Sequence, residues 1–416
     1  MKKIIIVLVT TCLLLGMSAC GKKDETKNNG KIKITYWASM GGADSEAMQK
    51  MVYGFNTSQD KYVLDAQFIT SDYYKKVDLT VANNMKGMPD VMIMHSDKLP
   101  TYAKRGILAP LSTIGNSSLL VEDSYSSTAW GAGEFEGVHY SVPLDIHGPV
   151  MYYNKTLFKK AGLDPNKPPT NKEEFIDIAK KISDGESHGF VMSIDFINEF
   201  LVETMVEQNG SSFFDKKNYP NFDTPVMKDI LQFEHDLIYK ENVTPKDDFD
   251  TVGNFLRGNV GMIFDGPWTA PTFKDVEFEW GMAEVPQFYN KKEAVTCKSH
   301  QFAIPSTLKD NDKKEGVKKF LEYMNQNSMD WSNSGQAPAS KTVYQSLEFQ
   351  KKPQVAMANE FKRAVFTPQV DSIGLYSQML YSQISDILYD RQSIEEGLKQ
   401  AQKDAVGMYE AEHITE

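Results

Sequence analysis

Stretches with an apolar period of two alternate with stretches of helical spacing along residues 32–416, and this restricts the chain to layered α/β architectures. Ile32-Lys33-Ile34-Thr35-Tyr36-Trp37 opens the series as a strand of β-forming residues. Ser45 to Phe55 has helical spacing, Tyr62 to Ile69 is strand-like, and Asp72 to Asn83 is helical again. Asp90 to Met94 is a short apolar run behind Gly87-Met88-Pro89, the pattern of a strand buried on both faces. Thr170-Asn171-Lys172-Glu173 reads as a capping box ahead of Phe175, Ile178, Ala179 and Ile182. Thr224-Pro225 predicts a cap with proline at the first helical position, and Ser393-Ile394-Glu395-Glu396 a second box opening a C-terminal helix. Largely parallel sheets are expected. A length of 416 residues points to two or three domains at about 150 residues each.

The N-terminus has a different grammar. Lys2 and Lys3 precede an apolar run from Ile4 to Leu15, too short to span a membrane but suited to a signal-peptide core. Met17-Ser18-Ala19-Cys20 follows and resembles the lipobox of bacterial lipoproteins, in which the cysteine is lipidated and becomes the first residue. Loss of residues 1–19 removes two lysines and takes the net charge from −11 to −13 (−11 minus 2). Gly21 to Lys31 is polar and without large apolar residues, so it reads as a flexible tether. Cys297 is left as a single cysteine in the body, expected to be buried or half-buried.

Several function classes are excluded or weakened. The acidic balance argues against nucleic-acid binding, and three cysteines cannot build a disulfide scaffold. Gly185-Glu186-Ser187-His188-Gly189 matches the G-x-S-x-G nucleophile elbow, but a helix precedes it and a β-like run, Phe190 to Ile194, follows it. The elbow requires the reverse order, so the motif reads as a helix-to-strand turn. There is no P-loop lysine motif, and Gly131 to Gly137 misses the dinucleotide spacing. The seven histidines are scattered without metal-ligand spacing, so neither a metal nor a cofactor is expected.

Pro143-Leu144-Asp145-Ile146-His147-Gly148-Pro149-Val150-Met151-Tyr152-Tyr153-Asn154, continuing to Lys160, resembles the signature of the family 1 extracellular solute-binding proteins. These are the receptors of ATP-binding-cassette sugar importers. Physically, Val150 to Tyr153 is a buried strand, Asn154 an N-cap, and Gly162 the stop of a short helix. Gly87 to Val91, Glu207 to Gly210 with Phe213-Phe214-Asp215, and Phe255 to Trp268 are similar to further family elements in the same order. The resemblance implies a two-lobed, periplasmic-binding-protein-like α/β fold with a multi-strand hinge and a ligand cleft between the lobes. It places lobe crossings near Leu144, Lys298 and Met329. The expected organisation is a signal peptide (1–19), a tether (20–31), an N-terminal lobe (32–144 with 299–328) and a C-terminal lobe (145–298 with 329–416).

A sugar offers apolar C–H faces and a rim of hydroxyls, and so requires aromatic platforms with charged or amide partners. Strand ends supply the candidates: Trp37 with Ser39; His95, Ser96, Asp97 and Lys98; Asp145 and His147; Asp195 and Phe196; Asp265 and Trp268. Trp268 is taken as the family's stacking tryptophan, while His147 departs from the acidic residue some members carry nearby. Trp331, Gln336 and Tyr376 are added from the C-terminal part. The aromatic platforms and a scarcity of cleft lysines or arginines favour a neutral sugar. The implied partners are a sugar or oligosaccharide, the permease subunits of the importer and a lipid-anchored membrane attachment, for a monomer on the outer face of a Gram-positive cytoplasmic membrane. The competing classes are a secreted glycan-active lipoprotein enzyme and a receptor of the same fold for a non-sugar solute. Cys20→Ser is expected to release the protein or leave its precursor uncleaved while the soluble body keeps its ligand affinity. Detergent phase partition checks this, and a variant that stays with the detergent phase would remove Cys20 as the anchor.

Overall fold

The computed structural model describes residues 27–28, 30–366 and 373–413; the signal sequence, Cys20 and most of the expected tether lie outside them. The strands, in chain order, are β1 (Lys27–Asn28), β2 (Lys31–Ala38), β3 (Tyr62–Phe68), β4 (Val91–His95), β5 (Glu134–Phe135), β6 (Val138–His139), β7 (Ser141–Pro143) and β8 (Asp145–Ile146). They continue with β9 (Val150–Asn154), β10 (His188–Val191), β11 (Val260–Asp265), β12 (Trp280–Ala283), β13 (Val295–Cys297), β14 (His300–Ala303), β15 (Ala337–Pro338) and β16 (Ala364–Phe366). Two sheets organise the molecule. The first has the order β1-β2-β4-β14-β7, with β3 along β2; the second has the order β10-β11-β9-β12.

The expectation of largely parallel sheets is corrected. β2 is parallel to β3 and β4, and β10 to β11, but β14 runs antiparallel to β4 and β7, and β9 antiparallel to β11 and β12. The reason is connectivity: β14 re-enters the first sheet from the second, and β9 enters the second directly from the first, so neither follows a local β-helix-β crossover. The expected tether is also shorter, because Lys27 and Asn28 pair with Ile32 and Lys31.

The cores follow the sequence pattern. Phe320, on helix Asn311–Gln326, meets Tyr36, Phe55 and Phe302 with ring centroids 5.5 Å apart in each pair, closing one face of the first sheet. In the second sheet Phe175 of helix Lys172–Ile182 packs edge-on against Phe190 at 5.0 Å. That helix is capped one residue later than the box predicted. Asn171 accepts from the Glu174 N–H at 2.9 Å, and the Glu174 carboxylate reaches back to Thr170. Thr224, Asn154 and Ser393 cap their helices as read, and Gly162 ends the short helix Lys155–Lys160 at a φ of 73°. Cys297 is fully buried, which pushes its thiol pKa up.

Three passages join the sheets, side by side. Leu144 N–H donates to the His300 carbonyl (2.8 Å), Ala339 N–H to the Leu144 carbonyl (3.0 Å), and His147 and Lys298 exchange backbone bonds of 2.9 and 2.8 Å. The segments around 144–147, 298–300 and 331–339 therefore form one ribbon between the sheets.

The G-x-S-x-G stretch is a helix-to-strand turn, as its context implied: the helix ends at Ile182, Ser187 is buried, and His188 begins β10. Its last glycine has a packing role. A Cβ on Gly189 would run into the backbone of Ala179, including its carbonyl oxygen. Gly189→Ala is expected to destabilise by about 2–3 kcal/mol, the upper part of the range for overpacking. Calorimetry would register this as a Tm fall of roughly 5–10 °C. An unchanged Tm would mean that the helix is free to move off the sheet.

Candidate functional site

The site grows from a strand register. β14 pairs with β4 so that His300 stands directly opposite His95. The neighbouring passage carries Asp145 and, two residues on, His147. The Asp145 side chain is fully buried and its carboxylate is saturated. Oδ1 accepts from His147 Nδ1 and from the His300 backbone N–H, both at 3.0 Å; Oδ2 accepts from His300 Nδ1 and Trp331 Nε1, both at 2.8 Å. Burial by itself would raise the Asp145 pKa, but His300, His147 and their hydrogen bonds outweigh it and hold the group well below the usual carboxylate range. Burial lowers the pKa of His147 and, more strongly, of His95; on His300 it is overcome by Asp145, which raises that ring.

Beside this cluster lies a cavity of about 470 Å³, lined among others by Tyr74, His95, Asp97, Lys98, Glu199, Glu203, Lys298 and Tyr381. Tyr74 Oη meets His95 Nδ1 at 2.8 Å and accepts the His95 backbone N–H at 2.9 Å. Asp97 lies 3.5 Å from Lys98 Nζ and 3.8 Å from Lys298 Nζ through Oδ2, while its Oδ1 is buried without a hydrogen-bond partner among the described residues. Burial would raise the Asp97 pKa, yet the two lysines bring it below its usual value; Lys298 is raised in turn by Asp97, Glu203 and Glu199 against its own burial. On the other side of His147, the Trp268 indole stacks on Phe196 with centroids 6.0 Å apart and planes 22° apart. Trp268 meets His147 edge-on at 5.9 Å, and His147 meets His95 at 5.9 Å, so ring contacts run from Phe196 to the cavity wall.

Other expected site residues are placed differently. Trp37 is buried in the first lobe's core, with Lys76 Nζ 4.1 Å from the centre of its ring. Trp331 is fully buried and spends its indole N–H on Asp145; Tyr376 is buried against Phe214. Asp265 is buried, with Oδ1 accepting from Gly266 N–H and Thr269 Oγ, and burial lifts its pKa to about 6. Asp195 is exposed and caps helix Phe196–Gln208 through the Ile197 N–H (3.0 Å), not at a strand end, since β10 stops at Val191. Gln336 donates to Asp44 Oδ2 at 3.0 Å, and Ser39 is half-buried in the loop after β2. Ser96 Oγ accepts from the Ser299 N–H at 3.1 Å.

Two expectations need correction. The cavity is not poor in lysine, since Lys98 and Lys298 both line it. The histidines are not all scattered, since three of the seven meet at one point. Reading the sequence missed Tyr74, Glu199, Glu203, Lys298, His300 and Tyr381 as site residues. Of these, Glu199 and Glu203 carried a signal, the i, i+4 spacing that sets both on one face of a helix.

Asp145→Asn tests the electrostatics. A pKa held below the unfolded value near 3.9 gives stability that is fully present above about pH 4 and lost as pH falls further. The Tm gap between wild type and variant should be widest at neutral pH and narrow below about pH 4. A gap independent of pH would assign the loss to packing.

Comparison with known proteins places the chain among binding proteins. The family model described as bacterial extracellular solute-binding protein matches residues 38–329. The maltooligosaccharide ABC transporter solute-binding lipoprotein of Streptococcus pneumoniae serotype 4 is 25% identical over 346 residues, covering 79% of this chain and 77% of that protein. The sn-glycerol-3-phosphate-binding periplasmic protein UgpB of Escherichia coli K12 is 22% identical over 354 residues, covering 80% and 79%. Among solved structures, the ABC substrate-binding protein Lmo0181 from Listeria monocytogenes in complex with cycloalternan superposes with a TM-score of 0.76 at 21% identity, over 91% of this chain and 99% of that one. This likeness establishes the fold.

Proposed function

The chain belongs to the bacterial extracellular solute-binding protein family, and on that premise we propose that it is a lipid-anchored receptor that captures a sugar between two closing lobes for an ATP-binding-cassette importer. The lobes comprise 32–144 with 299–328 and 145–298 with 329–416, hinged at the three-passage ribbon. The observation that carries the reading is the Phe196–Trp268 stack leading through His147 into a cavity lined with charged groups and tyrosines. A stacked aromatic pair takes the C–H face of a sugar ring, while carboxylates and ammonium groups take hydroxyls. Asp97 Oδ1, buried and unpartnered among the described residues, is an acceptor for such a hydroxyl. Closure is selected by solute that touches both walls, because only differential binding shifts a two-state equilibrium. Binding is the activity supported by the family match, and the buried Ser187, set in a turn, removes the serine-nucleophile motif as a rival reading. It works as a monomer at the outer face of a Gram-positive cytoplasmic membrane and hands its solute to permease subunits.

The lysines favour a second reading, a phosphorylated or otherwise anionic solute. Lys98 and Lys298 supply the positive charge, and Asp97, Glu199 and Glu203 oppose it. A thermal-shift panel of neutral oligosaccharides and sugar or polyol phosphates separates the two, because a ligand of the folded state raises Tm.

Trp268 provides the sharpest test of the sugar platform. It is half-buried, and its indole lies so close over Gly266 that a Cβ there would collide with the ring. Trp268→Ala is expected to weaken sugar affinity by about 2–4 kcal/mol, or roughly 30- to 1,000-fold, in calorimetric titration. The Tm of the empty variant should move far less than the several degrees typical of losing a core tryptophan. A variant that melts much lower yet binds normally would make Trp268 a core residue.

A further inference from the structure

We infer that His95, His147 and His300 form a binding site for a divalent transition-metal cation, with zinc the natural fit, at the point where the passages between the sheets meet. One ring nitrogen from each histidine lies within 4.8 Å of those of the other two. The ring centroids are 4.4 Å apart for His147 and His300, 4.9 Å for His95 and His300, and 5.9 Å for His95 and His147. Zinc holds imidazole nitrogen at about 2.0–2.1 Å, so three tetrahedrally placed rings have centroids roughly 5 Å apart and nitrogens roughly 3.4 Å apart. The three centroid distances bracket that spacing. The nitrogens would close by up to about 1.4 Å on binding, through small side-chain shifts that keep the Nδ1 hydrogen bonds.

The surroundings are those of a ligand set. Asp145 can only accept, so the Nδ1 atoms of His147 and His300 carry protons toward it and the nitrogen each has for a metal is Nε2. A buried carboxylate holding histidines by their second nitrogen is the arrangement that orients zinc ligands and raises their basicity. His95 is held at Nδ1 by the Tyr74 hydroxyl, which also accepts the His95 backbone N–H; the tautomer that gives its Nδ1 proton to Tyr74 leaves Nε2 free for a metal. The backbone anchors are fixed: His95 and His300 face each other across two paired strands, and His147 is bridged to Lys298. Asp145 and Asp44 act on His300, and Asp97 acts on His95 while pairing with the ammonium groups of Lys98 and Lys298. Three neutral imidazoles suit zinc, copper or nickel and not the oxygen-seeking calcium. His95 also lines the cavity, which gives a metal a route in from that side; His147 and His300 are buried behind it.

The test uses the purified protein stripped with chelator and desalted, without sugar, so its result is independent of the solute reading. Titration calorimetry with zinc chloride is expected to show one equivalent bound with Kd below about 10 μM, and calcium chloride none. His95→Gln and His147→Gln should each weaken zinc by about 100-fold or more, beyond the 10- to 100-fold typical of losing an outer-shell partner. His235→Gln, on a histidine far along the chain, should leave zinc binding unchanged. Cobalt(II) added to the wild-type protein should give the intense visible bands of a four-coordinate site, a readout that needs no variant to fold. No saturable zinc binding at 100 μM, zinc binding unaltered in both histidine variants, or only the weak bands of six-coordinate cobalt would each overturn the assignment.

Discussion

A single buried carboxylate ties the two sheets together. Asp145 receives four hydrogen bonds, from His147 on its own passage, from the backbone and ring of His300 on the second, and from Trp331 on the third. Each donor satisfies a lone pair that burial would otherwise leave costly, and bonds to a charged acceptor contribute about 1.5–3 kcal/mol apiece. Removing a partner from such a network exposes the remaining charge to an apolar interior, a loss of about 3–5 kcal/mol. The geometry of all three passages, and hence the relation of one sheet to the other, is set by where this carboxylate can reach its donors.

Because His147 and His300 are fixed from below by Asp145, their rings stand as a floor between two chemically different walls. On one side Trp268 and Phe196 present flat apolar surface; on the other, Asp97 and Lys298 with Glu199 and Glu203 present alternating charge. The charged wall stays ionised at its centre because the groups are mutually paired: Asp97 is pulled down by the lysines and Lys298 is pulled up by the acids, both against burial. On the proposed reading, a solute spanning the floor would exchange water for both kinds of contact, and that differential binding would favour closure.

The parts of this arrangement that depend on neighbours in the chain were legible in the sequence. Strand periods, the caps at Asn154, Thr224 and Ser393, the Gly162 stop and the order of elements around Ser187 are set by residues within one turn of each other. Of the cavity wall, only His95, Asp97 and Lys98, at and just after the end of β4, were candidates from the sequence. What failed required knowledge of pairing across more than 150 residues. His300 faces His95 only because β14 returns antiparallel, and Lys298 reaches Asp97 only through the same return. The same long connection turned an expected parallel sheet into a mixed one.

The tryptophans show why residue type was a poor guide and coverage a better one. The chain has five. Trp331 is fully buried and bonded to Asp145, while Trp37 is buried beneath Lys76. Trp130, half-buried, stacks with both Tyr125 and His139, its plane within 18° of each. Trp280, half-buried, donates to the Phe273 carbonyl and packs on Tyr152 against the second sheet's core. Trp268 differs in its neighbour: its stacking partner, Phe196, is itself 50% exposed. A large apolar ring left in water costs free energy in proportion to its exposed area, roughly 25 cal/mol per Å², and two such rings set side by side gain most from a partner that covers both. Trp268 is therefore set apart by its exposed stacking neighbour, a property of the folded chain that no single position in the sequence carries.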